Sequence, residues 1–165
     1  MAMDHYKSWS GLKKQLTDFL CDELKNRISY HLARYHDVHN AYGCASIRLD
    51  GKEMVHFSWT EMFKQERDMN DLYIKTGVWN DNSPELKMKW DNEATVSDRD
   101  FLEAATIFLQ LSITEALNSE NLLIQILAIM DRRVGKRTLE HLQKTGEYKR
   151  YPEWVQQFYV LRLNG

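Results

Sequence analysis

The sequence has little of what would cross-link, target or anchor a chain by special means. Its two cysteines, Cys21 and Cys44, have no CxxC spacing and no further partners, which argues against a disulfide framework or a four-cysteine zinc site and suits reduced thiols in a cytoplasmic protein. Only two prolines and seven glycines occur in 165 residues, and no internal repeat, low-complexity tract or second-domain linker is visible. Charge of one sign is also lacking: 22 basic and 24 acidic residues leave a formal net charge of −2, so no global field draws the chain to nucleic acid or to an anionic membrane. The apolar run Leu122 to Met130 is too short to span a bilayer, and the opening MAMDHYKSW has no apolar stretch of signal-peptide length. A cytoplasmic location without membrane contact is the expectation.

What is present reads as globular. With 43% hydrophobic and 12% aromatic residues, the chain can bury a sizeable core, and its length suits one domain over residues 1–165. Behind Ser8 or Ser10 as N-cap, Leu12, Leu16, Phe19, Leu20 and Leu24 recur at spacings of three and four, which predicts a helix over about residues 10–25. The period then changes to two at Ile28, Tyr30 and Leu32, and again at Ala45, Ile47 and Leu49. Asp50-Gly51 supplies a hairpin turn before Met54 to Phe57, so three strands in a meander are predicted.

Ser58-Trp59-Thr60-Glu61 has the spelling of a capping box and predicts a helix from Trp59 to about Tyr73. Turn formers between Lys75 and Val96 predict a surface loop. Ser97 and Asp100 open what reads as the longest helix, with Glu103, Thr106, Gln110, Thr114 and Asn118 as one thin polar stripe. A turn at Asn118-Ser119 leads to a central apolar helix over Leu122 to Met130, which Gly135 interrupts or lets a neighbour approach. Thr145-Gly146 stops the next apolar face, and Pro152 starts a last helix. The fold class expected is α+β: a small N-terminal three-stranded antiparallel sheet packed with a predominantly helical C-terminal half.

Chemistry-bearing motifs are sparse. No nucleophile elbow, phosphate-binding glycine loop or dinucleotide fingerprint occurs, so no cofactor and no catalytic set is expected. His31, His36 and His39 are the densest group of metal-ligating side chains, yet they lack any known ligand spacing and suit an ordinary strand and hairpin. Cys21 and Cys44 suit packing better than nucleophilic attack. Glu61, Glu66, Asp68 and Asp71 read as a solvated helix face.

The most concentrated charge is Arg132, Arg133, Lys136 and Arg137, followed by Lys144, Lys149 and Arg150, a candidate phosphate or nucleic-acid patch. Its structural alternative is a basic last turn of the central helix, stabilised by the macrodipole, with arginines paired to Asp131 or Glu140. Of the five scattered tryptophans most suit the core, whereas Trp79 and Trp90 lie in the loop-rich segment and are candidates for partner contact.

The stretches Leu24-Lys25-Asn26-Arg27-Ile28-Ser29-Tyr30-His31 with Arg34-Tyr35, and Asp131-Arg132-Arg133-Val134-Gly135-Lys136-Arg137-Thr138-Leu139, resemble a family of small uncharacterised bacterial proteins. Ile47 to Glu53, Pro152 to Val155 and Leu161-Arg162-Leu163 extend the resemblance over most of the chain. It implies a bacterial, cytoplasmic, single-domain protein and carries over no functional residues. The function expected is non-catalytic protein interaction, as in an accessory or immunity-type domain, with another protein as partner. The alternatives are a nucleic-acid or phosphate-ligand binder using the basic segment, and a metal-dependent enzyme built on the three histidines.

Overall fold

The computed structural model describes residues 8–34 and 43–164. In chain order the elements are α1 (Trp9–Phe19), β1 (Ile28–Arg34), β2 (Gly43–Leu49), β3 (Lys52–Ser58), α2 (Thr60–Thr76), α3 (Pro84–Glu93), α4 (Asp98–Phe108), α5 (Ile113–Leu117), α6 (Leu122–Ile129), α7 (Lys136–Thr145), a 3₁₀ turn (Glu147–Arg150) and α8 (Glu153–Leu163). The architecture is α+β, as expected, with one antiparallel sheet in the order β1-β2-β3 followed by helices.

Period-two alternation works as predicted in the sheet. Tyr30 pairs with Ile47, and Ile47 with Val55, so Tyr30, Ala45, Ile47, Val55 and Phe57 share one buried face. Asp50 and Gly51 both adopt positive φ, 52° and 85°, which matches the right-handed twist of the strands they join. Onto the buried face packs α4, whose Phe101 ring lies 5.1 Å from that of Phe57 and 6.4 Å from that of Tyr30. Behind α4 lies α6, where every residue from Leu123 to Met130 is buried, and α8 closes the core with Val155, Phe158 and Tyr159.

Several element boundaries differ from the periodicity. Ser8 is the N-cap of α1, its hydroxyl accepting from the Gly11 amide, but α1 stops at Phe19 rather than near residue 25. There Leu20 turns extended and bridges to Asp131, with the Cys21 amide donating to Met130 O (2.9 Å) and the Arg132 amide to Phe19 O (2.8 Å). This bridge ends α1, while turns over residues 21–27 keep Leu24 in the core.

The capping box at Ser58 does not form. Trp59 occupies the N-cap position without a side-chain capping bond, and Ser58 Oγ instead accepts from the Thr60 amide. The segment expected as a loop contains α3: Asn80 Oδ1 accepts from the Asn82 amide in the turn, Ser83 caps the helix and Pro84 begins it. α3 buries no residue, so no apolar period marks it.

The helix expected from Ser97 to Asn118 is two. The predicted Ser97–Asp100 capping box starts α4, and a second box, Ser112–Glu115, starts α5. The polar stripe is therefore discontinuous, with Thr106 buried and bonded to Leu102 O, and α2 is longer than α4. Gly135 neither interrupts α6 nor admits a close neighbour; it is the N-cap of α7, and a Cβ there meets nothing within 4 Å. Among the tryptophans none is fully buried, although Trp9 and Trp154 pack against the core.

Truncating the ring that joins helix and sheet tests this assembly. Phe101→Ala is expected to lower stability by about 3–5 kcal/mol, read as a fall in the urea midpoint, whereas Met88→Ala on exposed α3 is expected to change it by less than about 0.5 kcal/mol.

Candidate functional site

The basic segment divides into an arginine clasped on a buried carboxylate and a group without such a partner. Asp131, 1% exposed, accepts from the Arg133 amide (2.7 Å), Nε (3.1 Å) and Nη2 (2.8 Å). Arg133 Nη1 donates to Leu111 O (3.3 Å), and its guanidinium lies 4.5 Å from the Phe19 ring centre and 5.9 Å from that of Phe108. Arg133 is thus engaged internally with Asp131, one of the two pairings its sequence context suggested.

Arg132, Lys136 and Arg137 are exposed. Lys136 and Arg137 do not sit in the last turn of a central helix, as expected; they open α7, whose first turn has no acidic residue and whose cap, Gly135, offers no side-chain acceptor. The macrodipole therefore opposes these cations instead of stabilising them.

A second constellation is the arm formed by α2 and α3. Of the 17 residues of α2 only Asp68 is buried, and α3 buries none. Polar bonds hold the two together: Asp68 accepts from Trp90 Nε1 (2.9 Å) and Lys89 Nζ (3.1 Å). Others tie the arm to the body, Gln65 Nε2 to Thr95 O (2.8 Å) and Trp154 Nε1 to Asp91 O (2.7 Å). Trp90 is thus half-buried as a hydrogen-bonded anchor. Asp68 corrects the reading of a wholly solvated carboxylate face, and its partners, more than 20 residues away in the chain, gave no local signal.

Large apolar side chains stand out from the arm near both ends of α2. Phe63, Tyr73, Ile74 and Val78 are exposed, Ile74 to 80%, and Trp79 is half-exposed with its ring 6.2 Å from Tyr73. Phe63 and Ile74 lie about three turns apart on the same side of α2, with exposed Glu66, Arg67 and Asn70 between them.

A third feature is a cleft of about 900 Å³ between α3, α5, α6, α7 and α8, lined among others by Gln125, His141, Tyr148, Tyr151 and Tyr159. The Tyr148 and Tyr159 rings are parallel at 5.5 Å, and the Tyr159 hydroxyl donates to Gln125 Oε1 (3.1 Å). Burial pushes the Tyr159 phenol far above its usual range, so it stays neutral and its O–H remains a donor. No hydrogen bond joins His141 to a carboxylate or a hydroxyl among the described residues, so the cleft shows no assembled base and nucleophile.

His36 and His39 lie outside the described residues. His31 accepts or donates through Nε2 to Ser29 Oγ (2.9 Å), and among the described residues no three His, Cys, Asp or Glu side chains are grouped to hold a metal. Burial pushes the Cys21 thiol up, which keeps it protonated and unreactive. No described helix is long and apolar enough to cross a membrane.

Asp68 gives the arm a pH dependence. Burial alone would raise its carboxyl, but Trp90 and Lys89 hold it below the usual range. A lowered carboxyl favours folding above its unfolded value, and that contribution disappears as the pH falls through the folded one. Amide exchange in α2 and α3 is therefore expected to accelerate relative to the core below about pH 4, and Asp68→Asn is expected to remove most of that difference.

Comparison with curated proteins and with solved structures returns no match. A family model does match, over residues 8–163, and on that extent the chain belongs to the SF0329 protein family.

Proposed function

We propose that the chain is a non-catalytic protein-binding module of the accessory or immunity type, acting as one cytoplasmic domain, and that the α2–α3 arm is its docking surface. One observation carries this reading: the longest helix places a charged residue, Asp68, against its own fold and keeps Phe63, Tyr73, Ile74 and neighbouring Trp79 in solvent. Clustered exposed apolar side chains, such as Tyr73, Ile74, Val78 and Trp79 here, mark interaction sites, and tryptophan and tyrosine dominate the energy of such contacts. Between residues 60 and 93 eight acidic side chains outnumber five basic ones, so the partner is a different protein with an apolar groove and a basic rim.

The test compares quantitative capture from native lysate by the wild-type chain and by an Ile74→Asp/Trp79→Ala variant. A stoichiometric protein lost by at least about tenfold in the variant, with unchanged melting temperature, supports the arm as the interface. Equal capture by both chains overturns it, as does a concentration-dependent homodimer that the variant dissolves.

The exposed cations support a second reading, binding of a polyanion such as nucleic acid. Its observation is the N-terminus of α7, where Lys136 and Arg137 stand against the macrodipole with Arg132 beside them in the chain. Affinity for a labelled oligonucleotide is then expected to fall steeply between 50 and 200 mM salt, by about 10-fold or more, and to be lost in Lys136→Glu/Arg137→Glu. Salt-independent or absent binding sinks this reading.

A further inference from the structure

A second cavity, of about 400 Å³, lies between the arm and the body. Gln65 of α2 and Trp90 of α3 line it from the arm, and Ala104 and Ile107 of α4, Leu123 of α6 and Trp154 of α8 line it from the body. Its size suits a small ligand, and five helices converge on it.

Two indoles are presented to this cavity in fixed orientation. Trp90 Nε1 donates to Asp68 Oδ2 (2.9 Å) and Trp154 Nε1 to Asp91 O (2.7 Å), so both N–H groups are spent and the rings have their faces and apolar edges left to offer. Neither ring has an aromatic neighbour or a cation over it among the described residues.

The charge on the wall is of one sign in excess. Four carboxylates, Asp91, Asp100, Glu103 and Glu120, line the cavity against one lysine, Lys87. Lys87 Nζ is taken by Asp91 at 2.6 Å, and Asp100 is occupied in the capping box with Ser97. Glu103 and Glu120 are exposed and make no hydrogen bond or ion pair among the described residues. Tryptophan faces, aliphatic side chains and two uncommitted carboxylates together attract a cation and repel an anion.

We propose that this cavity binds a small organic cation, an ammonium head on an apolar body. The head gains from the faces of Trp90 and Trp154 and from the charges of Glu103 and Glu120, and the body from Val96, Ile107 and Leu122. A fully alkylated ammonium is the best match, because it has no N–H to leave unpaired against indoles that supply no acceptor. The site lies between arm and body and does not depend on the partner proposed for the arm's exposed apolar side chains.

The experiment is titration of the whole chain with choline and, separately, with 3,3-dimethylbutanol, which has the same shape without the charge, followed by the indole N–H signals in NMR spectra. Choline is expected to bind saturably, one per chain, moving the Trp90 and Trp154 signals and leaving that of Trp79 in place. Its affinity is expected to exceed that of the neutral alcohol by about tenfold or more. Glu103→Gln and Glu120→Gln are each expected to weaken choline binding by about three- to tenfold, with an unchanged melting temperature because both side chains are exposed, while Glu66→Gln on α2 leaves the affinity unaltered. Absence of saturable binding, equal affinity for the neutral alcohol, unchanged affinity in both cavity variants, or an equal loss in Glu66→Gln overturns the proposal.

Discussion

A single buried carboxylate organises the helical half of the molecule. Asp131 follows directly on α6, accepts from the backbone and side chain of Arg133, and takes part in the bridge to Leu20 that ends α1. Arg133 in turn reaches Leu111 O after α4 and covers the rings of Phe19 and Phe108. Three helix ends, each with carbonyls or amides lacking intrahelical partners, are thereby joined through one ion pair. Because the carboxylate is fully enclosed while the guanidinium keeps contact with solvent, the pair avoids the full cost of burying both charges.

That arrangement also explains where sequence periodicity succeeds and fails. The strands are legible because their neighbours in space are neighbours in sequence: alternation at Tyr30, Ala45, Ile47 and Phe57, with Asp50-Gly51 between two of the strands, specifies both pairing and face. The continuous apolar run of α6 is legible for the same local reason. The end of α1 is not, because it is set by residues 131 and 132, which compete for the backbone after Phe19. Likewise α3 has caps but no buried face, so nothing in its apolar spacing separates it from a loop, and Ser112 starts a new helix inside a pattern that still reads as one.

The candidate sites divide along the same line. Trp79 was visible as an aromatic residue in a turn-rich segment, and the exposure of its neighbours extends that reading to α2. Trp90, in the same segment, turns inward because Asp68 offers its indole an acceptor from a different helix. Four arginines and lysines form one run in sequence, but a turn divides it, leaving Arg133 with Asp131, Arg132 in the turn and Lys136 and Arg137 at the start of α7. The juxtaposition of Arg48 with His31 depends on strand register, so it could not be read from spacing alone.

The polar attachment of the α2–α3 arm has a consequence for how the molecule can change. Hydrophobic cores are cooperative: a residue altered in one is felt by every neighbour that packs against it. The arm is instead fastened at a few hydrogen bonds, through Asp68, Gln65 and Trp154, and buries almost nothing of its own. Its outer side chains are therefore nearly uncoupled from folding. Substitutions there can accumulate with little penalty in stability, so the arm's surface chemistry is free to diverge between relatives while the sheet and the central helices beneath it stay fixed.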